Sequence, residues 1–94
     1  MYAYIQDVPI TLPVYRQIKE EIGEDVPGGL LVHLVIETQE GLRYVDVWES
    51  QADCERFFDE RVHPAVDRVF ARVGRPRGGE PRREEIVVHE VWKA

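Results

Sequence analysis

Two stretches rich in β-branched and aliphatic residues, Leu30 to Thr38 (LLVHLVIET) and Leu42 to Glu49 (LRYVDVWE), lie almost back to back with a turn signal at Glu40-Gly41 between them. Strand-forming runs this close in sequence fold back on each other as an antiparallel hairpin. Side chains alternate across a strand, so the hairpin divides its residues between two faces. A two-residue turn at Glu40-Gly41 predicts Leu34 opposite Val47 and His33 opposite Trp48. One face then carries Leu30, Val32, Leu34, Ile36, Val45 and Val47. The other carries Leu31, His33, Val35, Glu37, Leu42, Tyr44, Asp46 and Trp48. The aliphatic face is expected to pack under helices. The mixed face is too apolar for free surface and too polar for a plain core, and is expected to meet a second subunit or a ligand.

The flanking segments complete the architecture. Tyr2 to Val8 mixes aromatic and β-branched residues and stops at Pro9, which predicts a first strand. Thr11 is positioned to cap a helix with Pro13 in its first turn, apolar residues at Val14, Tyr15, Ile18 and Ile22, and a stop at Gly23. Ser50 and Asp53 form a Ser-x-x-Asp capping signal for a second helix, which Pro64 should break or kink at His63 and which ends at Gly74. The loop Arg75 to Arg83 (RPRGGEPRR) is expected to be mobile, and Glu85 to Trp92 (EIVVHEVW) reads as a last strand. The order β-α-β-β-α-β predicts an α+β, ferredoxin-like split βαβ fold, with two helices on one face of a four-stranded antiparallel sheet, spanning residues 1–94 as one domain.

The net charge of −6 argues against a nucleic-acid partner, because phosphate binding needs a basic surface. One basic patch, Arg72, Arg75, Arg77, Arg82 and Arg83, is interrupted by prolines and glycines and reads as a solvated loop. No apolar run approaches the ~20 residues of a membrane span, and Met1 to Val8 does not look like a signal peptide. Cys54 is the only cysteine and reads as inert packing on the core stripe. These features lead us to expect a cytoplasmic protein without membrane contact. Three histidines on separate elements lack ligand spacing, so no metal and no cofactor is expected.

His33 and Asp46 are the candidate catalytic pair: a carboxylate on one imidazole nitrogen fixes the tautomer and raises basicity at the other. Tyr44 and Trp48 could stack on a flat substrate, with the tyrosine able to donate to a phenolate or enolate oxygen. Tyr4 and His89 are further candidates for the same cavity. His63, just before Pro64, could edge its mouth. Arg43 is expected to pair with Glu49 or a helix carboxylate.

The segments Gly28-Gly29-Leu30-Leu31-Val32-His33 and Gly41-Leu42-Arg43-Tyr44-Val45-Asp46-Val47-Trp48-Glu49-Ser50, with Phe57 and Pro64, resemble small proteins of the antibiotic-biosynthesis-monooxygenase-like, dimeric α/β-barrel superfamily. The resemblance implies a homodimer whose sheets form a barrel around a small hydrophobic or aromatic ligand. It also implies chemistry of the cofactor-free monooxygenase or cyclase type on an aromatic or polyketide-like substrate. Haem-degrading and quinone-forming members use an asparagine, and this chain contains none. The alternative expectation is a non-catalytic dimeric binding or accessory protein with the same cavity.

Overall fold

The computed structural model describes residues 1–76 and 78–94; Arg77, counted above in the arginine-rich patch, lies outside the described residues. The chain runs β1 (Tyr2–Val8), α1 (Leu12–Ile22), β2 (Leu30–Thr38), β3 (Gly41–Trp48), α2 (Gln51–Phe57), α3 (His63–Arg72) and β4 (Arg83–Ile86). The strands form one antiparallel sheet in the order β2-β3-β1-β4. This is the split βαβ arrangement, an α+β fold of the ferredoxin-like kind. No helix among the described residues is long and apolar enough to cross a membrane.

The local signals act as the sequence predicts. Thr11 Oγ1 accepts from the Val14 amide at 3.4 Å, and Pro13 sits in the first turn of α1. Ser50 Oγ accepts from the Asp53 amide at 3.2 Å and opens α2. Pro64 does not end the second helix. A π-helical turn, Phe58–Val62, joins α2 to α3, and the proline falls in the first turn of α3, where its missing N–H is tolerated.

The hairpin departs from expectation twice. Its loop is Gln39-Glu40, with Thr38 paired to Gly41, so His33 stands opposite Asp46 and Leu34 opposite Val45. Thr38 Oγ1 donates to the Gly41 carbonyl at 3.0 Å, and Gly41 adopts φ +147°, where a Cβ would lie 2.5 Å from the Val8 carbonyl oxygen. The slip is two residues, so the two side-chain sets keep their separate faces. A register shift between Leu30 and Val32 nevertheless moves Leu30 over to pack with Trp48.

The second departure inverts the assignment of those faces. His33, Tyr44, Asp46 and Trp48 lie beneath the helices, and the aliphatic set faces outward. One cluster joins Leu42 to Ile10, Ile18, Ala65 and Val69, with Val35, Tyr44 and Phe70 against it. Another joins Trp48 to Tyr4, Cys54 and Phe58. Burying a side chain such as Leu42 or Val69 contributes about 1.5–3 kcal/mol. The space between sheet and helices is wide enough to need aromatic volume, and the buried polar groups there bond to one another. On the outer face Leu34 and Ile36 remain 49% and 44% exposed.

Two smaller corrections follow from the sheet. Arg43 pairs with Asp7, directly opposite on β1, at 2.8 Å and not with Glu49 or a helix. β4 is shorter than predicted and starts earlier. It pairs with β1 from Gln6–Arg83 to Ala3–Ile86, and His89 lies beyond its end.

Candidate active site

The opposed positions of His33 and Asp46 on neighbouring strands bring Nδ1 of the imidazole to 2.5 Å from Oδ1 of the carboxylate. Asp46 Oδ2 accepts from the Tyr4 hydroxyl at 2.7 Å, and Cys54 Sγ lies 3.8 Å behind that hydroxyl. On the other side, the Tyr15 hydroxyl sits 2.9 Å from His33 Nε2. An ionised carboxylate only accepts, so Nδ1 carries the hydrogen facing Asp46, and in the neutral imidazole Nε2 accepts from Tyr15. The result is one hydrogen-bonded row, Tyr15–His33–Asp46–Tyr4, leading from α1 across β2 and β3 to β1.

The row borders a cavity of about 500 Å³ between the sheet and the helices. Tyr15, His33, Tyr44, Asp46 and Trp48 contribute to its wall together with apolar residues including Ile10, Phe57, Phe58 and Phe70. Tyr15, Tyr44 and His33 form an aromatic corner, with ring centroids 5.5–6.2 Å apart. The loop after α3 crosses the opening and contributes Arg75, Pro76, Gly78, Gly79, Glu80 and Pro81. It is held by Arg75 donating to the Pro9 carbonyl and by Gln6 Nε2 donating to the Pro81 carbonyl, each at 2.8 Å. His63 also reaches the wall, 3.4 Å from Glu80 Oε2, within ion-pair range but not aligned for a hydrogen bond. Trp48 Nε1 is buried and has no hydrogen-bond partner among the described residues.

Burial and the nearby Asp46 charge hold the Tyr4 and Tyr15 phenols above their ordinary value. Burial does the same for Tyr44, with Tyr15 and Asp46 adding to it. All three therefore stay protonated donors at neutral pH. Burial also pushes the Cys54 thiol up to about 11, so it is no thiolate nucleophile.

Four sequence candidates thus share one cavity wall: His33, Tyr44, Asp46 and Trp48. Tyr4 does not. It is fully buried behind Asp46 and holds the carboxylate instead of meeting a ligand. His89 is exposed, lies past the end of β4 and takes no part in the wall. Tyr15 was missed by pattern reading, since it sits on the apolar stripe of α1. The available signal was that it is the one residue of that stripe with a hydroxyl. No protein-family model matches the chain, and no curated protein matches it.

Proposed function

We propose that the protein is a small cofactor-independent enzyme of the monooxygenase or cyclase type, acting on an aromatic or polyketide-like substrate. The observation that carries this reading is the Tyr15–His33–Asp46 row at the wall of an otherwise largely apolar cavity. A flat substrate stacks in the corner formed by Tyr44, Tyr15 and Trp48. Tyr15 takes a proton from a phenol or an activated C–H as it passes its own to His33 Nε2, and Asp46 stabilises the imidazolium. In the oxidative case the carbanion attacks dioxygen, and loss of water from the hydroperoxide leaves a carbonyl. In the cyclising case it attacks an internal carbonyl, and Tyr15 returns the proton to the alkoxide.

The resemblance to the dimeric α/β-barrel superfamily supports this reading, as does the exposed aliphatic sheet face. We assign that face to a homodimer in which two sheets pack against each other, in the cytoplasm. The test is oxygen uptake and product mass spectrometry on a panel of polycyclic phenols and linear polyketide mimics. Turnover should fall at least about 100-fold in His33→Ala. Turnover unchanged in that variant sinks the proposal. A second reading, a ligand-binding protein without chemistry, draws on the Tyr15 cap over His33 Nε2. Tight binding of the same compounds with no product selects it.

A further inference from the structure

The two ends of the sheet present complementary unfinished business. β2 is an outermost strand, nine residues long, and pairs only with β3, so its far side offers a row of unpaired backbone groups. At the opposite edge, the chain leaves β4 as Val87-Val88-His89-Glu90-Val91-Trp92, a β-forming sequence with no strand beside it. Pairing with β1 stops at Ala3–Ile86 because β1 begins at Tyr2, leaving Val88 and beyond with no strand residue opposite. Val87 and Trp92 are 81% and 91% exposed. A free strand sequence and a free strand edge thus lie on opposite sides of one sheet, where they cannot meet within the chain.

We propose that residues 87–92 pair with the β2 edge of a second copy, each chain giving its tail to the other. This rests on the homodimer reading above and goes further by naming the segment that closes it. A twofold axis that packs the aliphatic faces together lays the β4 edge of one copy beside the β2 edge of the other. In an extended chain Val88 and Trp92 share the parity of Ile86, which pairs with the outward-facing Ala3, so they extend the same apolar surface. Charge also favours a second copy. Two chains of net charge −6 repel, but the facing surface is nearly neutral, with Asp7 and Arg43 offsetting each other on it. Reciprocal pairing at both edges closes the two sheets into a barrel and leaves neither long edge open.

The test combines sedimentation with hydrogen–deuterium exchange on the full chain, on His89→Pro and on a chain ending at Ile86. Proline removes an amide and cannot sit in a ladder, yet His89 is exposed and unpaired within its own chain, so the protomer should fold unchanged. The expected result is a dimer whose amides at 87–92 are protected. Both variants should raise its dissociation constant at least tenfold with circular dichroism unaltered. A dimer with residues 87–92 fully exchanging, or one that both variants leave intact, overturns the tail exchange and spares the dimer. A full-length chain that stays monomeric at high concentration overturns both.

Discussion

His33 and Asp46 face each other on adjacent antiparallel strands, and their side chains meet at 2.5 Å on the helix side of the sheet. The carboxylate is buried and takes a second hydrogen bond from Tyr4, so it cannot turn away from the imidazole. That rigidity defines which nitrogen of His33 is free to work.

Asp46→Asn should keep the fold and lower kcat by about 10²–10⁴-fold on any accepted substrate. The amide still accepts from one donor, but it no longer fixes the tautomer or stabilises an imidazolium. Steady-state kinetics on a folded variant check this, and an unaltered kcat rejects the role.

Asp46→Ala should be a stability variant as well. It strands the hydroxyl of Tyr4, which has no exposed surface, and an unpaired buried donor costs about 1–3 kcal/mol. Urea unfolding measures the loss, and adding Tyr4→Phe should recover part of it.

Tyr15→Phe removes one oxygen and preserves the ring that packs against Tyr44. If Tyr15 is the group that touches substrate, kcat should drop about 100-fold with little change in ligand affinity. A loss confined to affinity would make it a stacking residue only.

Gly41→Ala should destabilise the hairpin by more than ~1 kcal/mol. Its Cβ would lie 2.5 Å from the Val8 carbonyl oxygen, and φ +147° strains any side chain. Gly78→Ala, with open space around it, serves as the control in thermal melts.

Alkaline pH should unfold the protein earlier than its core suggests. The Cys54 thiol rises from an ordinary 9.0 to about 11 in the fold, and the phenols of Tyr4, Tyr15 and Tyr44 rise above their ordinary 10.0. Above pH 9 the unfolded chain releases protons that the folded one retains, so stability present below pH 9 is lost as pH rises through 9 to 11 and beyond. Melting temperature against pH should show that fall. Below pH 9, Cys54 should resist thiol reagents until the chain is denatured.

Element types and their order were legible in the chain because each rests on local chemistry: Thr11 and Ser50 as caps, Gly23 and Gly74 as stops, and alternating β-branched runs as strands. The separation of the hairpin into an aliphatic set and an imidazole–carboxylate–indole set was legible for the same reason, since alternation is a property of one strand. Which set lies under the helices was not. Aliphatic residues ordinarily mark the core, but here both sheet faces are apolar. The helix side goes to the bulkier set because Tyr15, Phe57, Phe58 and Phe70 leave a space that aromatic rings and mutually bonded polar groups fill. The end of β4 was equally hidden, because a strand stops where its neighbour stops, and β1 is some 80 residues away in sequence. So sequence alone determined the pieces and their periodicity, which depend on near neighbours. The tertiary structure decided the orientation of the faces, the Tyr15 contact to His33 and the exclusion of Tyr4 and His89 from the cavity, which depend on residues that meet only once the sheet and helices pack.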